Sequence, residues 1–205
     1  RSYIIKYRNL IQIIKVLVKI LEELPFKSEE YQMPNISKEE IENIIQNLPI
    51  RNRPFISGNF IEASSSKTFT SINPATGEII TDVVDCNQAD IDQAVASCRK
   101  TFEDGRWSRS SPEHRKEVLL KLADLVRSKA KILAVLESID SGKTITDCLT
   151  EVGEEVPNFF QWYAELSDKV FGKVSATGED ALALIVKEPA GVVGLILPWN
   201  FPLLM

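Results

Sequence analysis

The stretch that most constrains what this chain can fold into runs from Gly191 to Met205 and reads GVVGLILPWNFPLLM. Every position from Val192 to Leu197 is apolar or glycine. Such a run is too short for a membrane span, which needs about 18 residues, and too uniform for a strand with one wet face. It fits a central parallel strand covered on both sides. Pro198 cannot donate to a sheet ladder, so pairing is expected to stop at Leu197. Pro202, with its fixed φ, suits the first turn of a helix. Asn200 therefore falls just past the carboxyl end of a buried strand, where open α/β sheets bind their ligands. If Pro202 opens the helix, Asn200 stands one place too early to cap it. Its carboxamide is then free to donate to an oxygen that gains negative charge during a reaction. The tripeptide Pro198-Trp199-Asn200 also fits a turn that merely ends a core strand. Phe201 and Met205 stand four apart and share one side of the expected helix, either exposed to a ligand or packed on the sheet.

Composition bounds the rest. With 205 residues and 44% hydrophobic content, the chain can bury one sizeable core or two small ones. A formal charge of -5 gives no electrostatic reason to expect nucleic acid. Cys86, Cys98 and Cys148 are odd in number and lack CxxC pairing, so neither a disulfide framework nor a zinc site is indicated. A reducing, cytoplasmic compartment is expected. A mitochondrial one stays open, because the chain begins with Arg1 and a targeting signal could precede it.

Three regions emerge along the chain: an aliphatic and basic extension over 1–36, a helix-rich region over 37–190 with strands at about 53–84 and 181–189, and the terminal strand and helix start over 191–205. Lys6, Arg8, Lys15 and Lys19 interrupt the first of these and exclude a transmembrane span. A basic surface helix, a docked helix and a segment without stable structure all fit it. Ser37 and Glu40 form a capping box for a helix carrying Ile41, Ile44, Ile45 and Leu48. Phe55-Ile56 and Phe60-Ile61 flank Gly58-Asn59 as a short hairpin, and Thr68–Ile72 and Ile79–Val84 flank Asn73–Gly77 as a second. A helix from Asn87 presents Ile91, Ala94, Val95, Cys98 and Phe102 as a core stripe. One long helix is expected from about Ser110 to Gly142, and another, kinked by Pro157, through Val152, Val156, Phe159, Phe160, Tyr163, Leu166 and Val170. A further strand is expected at Ala181 to Val186.

Ser141-Gly142-Lys143-Thr144 invites a phosphate-loop reading that fails, since Glu137 replaces the required first glycine and the preceding segment reads as helix. Cys98 and Cys148 fall within helices and Cys86 merely precedes one, so no thiol is a convincing nucleophile. His114, in the first turn of an exposed helix, is not read as catalytic.

PWNFPLLM resembles the signature that ends the first dinucleotide-domain strand of aldehyde dehydrogenases. RPFISGNFIEA, SINPATGEIITDV, FEDGRWSRSSPEHRKEVLLKLADLV, LESIDSGKT, WYAELSDKVFGKV and VKEPAGVVGLILPWNFPLLM occur in that family's order and at its spacing, from about Arg51 to Met205. The resemblance implies an α/β chain forming the amino-terminal portion of an aldehyde dehydrogenase fold. That portion comprises the start of a Rossmann-like NAD domain and strands of a small oligomerisation domain. The implied reaction is NAD(P)-dependent oxidation of an aldehyde to a carboxylic acid through a cysteine thiohemiacetal. Asn200 would stabilise the oxyanion; Ile196, Leu197, Pro198, Trp199 and Asn200 would contact the nicotinamide half of NAD or NADP; Phe201 and Met205 would line the aldehyde tunnel. Asp140 and the Ile72 carbonyl would help hold a structural sodium or potassium ion, although Asp140 also fits an exposed aspartate at a helix end. The family's cysteine and glutamate lie downstream of Met205, so these residues alone are expected to be inactive, and a non-catalytic assembly module is the alternative. Open strand edges give a homodimer or homotetramer a physical motive. The pattern resembles most the broad group acting on γ-glutamyl-γ-aminobutyraldehyde, betaine aldehyde and retinal.

Overall fold

A computed structural model describes residues 35–205, so the extension over 1–34 and its possible membrane contact lie outside the described residues. Among the described residues no helix is long and apolar enough to cross a membrane. The first helix, α1 (Lys38–Gln46), is capped by Ser37, whose hydroxyl accepts from the Glu40 N–H at 3.1 Å. Two hairpins follow. In the first, β1 (Phe55–Ile56) pairs with β2 (Asn59–Phe60), matching Ile56 to Asn59. The turn is Ser57-Gly58, one residue earlier than expected, with φ of 55° and 83° at these two positions. Two successive positive φ values match the right-handed twist of the flanking strands. In the second, β3 (Thr68–Ile72) and β4 (Ile79–Val84) adopt the expected boundaries, with a bulge at Ser71/Ile72.

Helix α2 (Gln88–Glu103) opens with a full capping box: the Asn87 side chain accepts from Ala89 and Asp90, and Asp90 accepts from the Asn87 N–H at 2.9 Å. Asp90 also accepts from the Ser64 N–H at 2.7 Å, which ties the loop after the first hairpin to the helix start. That bond is the main reason the Asp90 carboxyl is held below the usual carboxylate range. The bonded form is the ionised one, so its contribution to stability is present at neutral pH and lost as pH falls through the folded value. The expected core stripe of α2 is not covered: Ile91 and Val95 are exposed and Cys98 is half-buried. The first hairpin packs against this helix through β1.

The long helix expected to Gly142 is two: α3 (Pro112–Ser128) and α4 (Ala130–Ser141), divided at Lys129, whose backbone sits at φ -114°, ψ 11°. The break lets α4 turn away, so that α3 lies along α6 (Val156–Leu166) while α4 faces α5 (Ile145–Thr150). Between α5 and α6 the backbone widens into a π turn at Glu151–Glu155, where the Val156 N–H reaches the carbonyl of Glu151. Pro157 explains it, because a ring at that position has no N–H for the carbonyl four residues back and would crowd it. The bend expected at Pro157 is thus made one turn upstream.

Leu119, Leu122, Val126, Leu133, Ala134, Cys148, Leu149, Val152, Val156 and Ala164 close into one buried cluster. A third hairpin joins β5 (Lys173–Ser175), which sequence patterning did not reveal, to β6 (Ala183–Ile185), shorter than expected. The expected central strand at 192–197 belongs to no sheet among the described residues. A strand needs neighbours to bond, and no described strand runs beside this one. Replacing Leu122, which has no exposed surface, by alanine is expected to destabilise the chain by about 2–5 kcal/mol. A urea midpoint unchanged from that of the parent would contradict the core as described.

Candidate functional site

The terminal segment carries the residues singled out by sequence. From Gly194 to Trp199 the side chains are exposed, Ile196 completely and Trp199 by 77%. Residues 194–197 belong to no helix, strand or turn, and the chain bends at Trp199-Asn200. The chain then turns: the Met205 N–H bonds the Phe201 carbonyl at 3.2 Å, a single helical turn in place of the helix expected from Pro202. Asn200 is half-buried, while Phe201 and Met205 are exposed by 38% and 71%. Leu203 and Leu204 pack on the helical core and so anchor the turn. Ile196, Leu197, Pro198 and Trp199 are accessible, and Asn200 follows them half-buried. Phe201 and Met205 fall at the end of this segment, bonded backbone to backbone.

Behind this turn lies a buried charge cluster. Gly142 ends α4 at φ 79°, and a side chain there would come within 2.7 Å of Pro74 Cγ in the β3–β4 turn. Lys143 follows, its carbonyl accepting from Ser138 Oγ at 2.7 Å. Its ammonium touches Glu137 Oε1 in an ion pair and donates to Glu151 Oε2. Glu137 and Glu151 are each only 5% exposed. Two carboxylates thus share one cation, and Glu151 Oε1 has no hydrogen-bond partner. Burial pushes the Glu137 carboxyl up, an effect Lys143 partly offsets and Glu151 reinforces. Burial alone would lower the Lys143 ammonium, but the two glutamates outweigh it and hold its value above that of a free lysine. The same Nζ lies 4.7 Å from the centre of the Phe201 ring.

Sequence reasoning missed this cluster, though a signal existed. Glu137 follows Leu133 and Ala134 on the buried side of α4, and a charge in an apolar stripe demands a partner. Asp140 is brought to the strand that ends in Ile72: its Oδ1 accepts from Ser71 Oγ at 3.0 Å. Among the described residues no three or more His, Cys, Asp or Glu side chains group as metal ligands. His114 stays exposed at the start of α3, edge-on to Trp107 with ring centres 6.3 Å apart.

The thiols follow their surroundings. Cys148 is fully buried beside the cluster, and burial together with Glu137 pushes its thiol up to about 11. Cys98 is raised by burial, and Cys86 by burial and by Asp90 and Asp85. In the folded chain at about pH 8, Cys148 is expected to resist iodoacetamide while half-buried Cys86 reacts. Peptide mass spectrometry showing Cys148 labelled as fast as Cys86 would refute that placement.

Comparison with known proteins identifies the family. Residues 60–205 match the model of the aldehyde dehydrogenase family. Among curated relatives, the aminoacetaldehyde dehydrogenase of Pseudomonas aeruginosa is 48% identical over 170 residues, covering 83% of this chain and 34% of the relative. The NADP/NAD-dependent aldehyde dehydrogenase PuuC of Escherichia coli is 44% identical over 77% of this chain and 32% of its own length. Among solved structures, the indole-3-acetaldehyde dehydrogenase AldA of P. syringae, in complex with NAD+, superposes with a TM-score of 0.80 at 40% identity, covering 83% of this chain and 34% of that one. KauB of Pseudomonas aeruginosa gives 0.80 at 39% identity, with the same coverage. The chain spans about a third of the length of the relatives it matches. Its mixed helices and hairpins are a partial aldehyde dehydrogenase fold of the α/β class, and the chain belongs to the aldehyde dehydrogenase family.

Proposed function

We propose that these residues form the amino-terminal part of an NAD(P)-dependent aldehyde dehydrogenase in which Asn200 donates a hydrogen bond to the oxyanion formed as a cysteine thiolate adds to the aldehyde. The observation that carries this reading is the turn at 198–202. It joins an accessible segment to a core-anchored Leu203-Leu204, so Asn200 is half-buried at the boundary of solvent and core. A donor fixed in such a place needs no reorganisation when charge develops, and one such bond is worth about 3 kcal/mol in the barrier.

When bound, the nicotinamide cofactor supplies the hydride acceptor. Ile196, Leu197, Pro198 and Trp199 flank its ring side, and Phe201 and Met205 border the aldehyde path. The relatives named for aminoacetaldehyde and indole-3-acetaldehyde support substituted acetaldehydes as the substrate class. The Asp140 carboxylate accepts from Ser71, the residue before Ile72, and with the Ile72 carbonyl suits one side of a sodium or potassium site, since hard cations take oxygen donors. Free Cys86, Cys98 and Cys148 accord with a reducing compartment such as the cytoplasm.

The 205 residues alone are expected to form no NADH from aldehyde. In a chimera joining these residues to the remainder of a full-length relative, Asn200→Ala should lower kcat by about 10²–10³-fold. Cysteine-dependent turnover by the isolated chain, or full activity of the Asn200→Ala chimera, would overturn the reading.

A second reading is favoured by the open hairpins. Phe69, Ile79, Val174 and Leu184 are each more than half exposed on two-stranded elements with free edges, and such surfaces motivate pairing into a homodimer or homotetramer, or with longer subunits. Mixed with a full-length relative, the chain is expected to co-elute with it in size-exclusion chromatography; two independent peaks would dispose of the module.

A further inference from the structure

We propose that Lys143 is a positioning residue for the 198–202 turn: its ammonium, clamped between Glu137 and Glu151, is the seat on which the Phe201 ring rests, and so it fixes where the adjoining Asn200 stands. The inference rests on the proposed role of Asn200, but its geometry is independent of that role.

Lys143 is held at both ends. At the backbone it follows left-handed Gly142, its carbonyl accepts from Ser138 Oγ, and its N–H donates to Ser141 Oγ at 3.3 Å. At the tip its Nζ lies against one carboxylate from α4 and another from the π turn, with the side chain 19% exposed. A lysine so restrained has already lost its rotamer freedom, so a ring that settles on it meets a fixed partner. Phe201 does so at 4.7 Å, inside the roughly 6 Å over which a cation is drawn to an aromatic face. Leu203 and Leu204 anchor the turn downstream of Asn200, and Phe201 is the contact immediately beside it. The unmatched charge of the cluster gives this arrangement a reason. A lone ion pair would satisfy Lys143, whereas two carboxylates on one ammonium hold it charged and prevent its Nζ from swinging out to solvent.

Backbone 15N relaxation on the 205-residue chain tests the seat without any turnover. In the parent chain, order parameters at Asn200 and Phe201 are expected near those of Leu122 in the core, about 0.85. Lys143→Met and Phe201→Leu should each drop both positions below about 0.6 with Leu122 unchanged. Lys143→Arg, which keeps a cation over the ring, should restore them. Order at Asn200 and Phe201 that is equally high in Phe201→Leu, or already low in the parent, would overturn the proposal, as would failure of the arginine variant to restore it. Should Lys143→Met not fold, because it strands two buried carboxylates, Phe201→Leu keeps the question decidable. Loss of the ring should then shift the Lys143 ε-methylene protons downfield, and an unchanged shift refutes the contact. An inactive Asn200 would leave these readings untouched, so the two proposals fail separately.

Discussion

The contact between α3 and α6 is what the rest of the structure leans on. Leu122 and Val126 from one helix meet Val156 and Ala164 from the other with no more than 1% of any of these side chains exposed. Burying the leucine and valine side chains stabilises by about 1.5–3 kcal/mol apiece before chain entropy is set against it. The hairpins contribute little of this kind, because isolated two-stranded elements are marginal in water. They are held by local ties to the helices instead: Asp90 to the Ser64 N–H, Ser71 to Asp140, and Pro74 against Gly142. The terminal turn joins the same core through Leu203 and Leu204.

Within that core, burying the Glu137–Lys143–Glu151 cluster is costly. Each carboxylate loses hydration, and the one ammonium cannot repay both. Apolar side chains of similar volume would pack more cheaply, so the cluster is best understood as a fixed electrostatic feature at the junction of α4, α5 and the π turn. Its effect on neighbouring groups is visible: it helps to push the Cys148 thiol away from reactivity and holds a cation under Phe201. The π turn that brings Glu151 to this place exists because Pro157 lies just beyond it.

Periodicity revealed those elements whose signals are local. Ser37 and Asn87 marked helix starts, Gly142 marked an end, and the Thr68–Ile72 and Ile79–Val84 strands were bounded by a turn of polar residues and glycine. The break at Lys129 was invisible because lysine and alanine are both good helix formers, and only tertiary packing turns the chain there. The single-residue displacement of the first turn has a similar cause, since Ser57-Gly58 and Gly58-Asn59 are both credible turn pairs by composition. The 192–197 run shows the opposite limit. Its apolar character is a statement about neighbours, and here the same residues join no sheet, with Leu195, Ile196 and Leu197 exposed. For the site, the positions from Ile196 to Met205 were legible as a motif, but the lysine behind them was hidden inside a rejected phosphate-loop pattern.

What links these features is one claim: a helical core holds a carboxamide at the edge of a nucleotide-binding fold, where it can meet an oxygen that becomes an anion. The most direct measurement is a crystal structure of the assembled enzyme carrying these residues, with NAD+ and an aldehyde bound. The account predicts Asn200 Nδ2 within about 3.1 Å of the aldehyde-derived oxygen. An amide turned into the protein interior, with that oxygen bonded elsewhere, would contradict it.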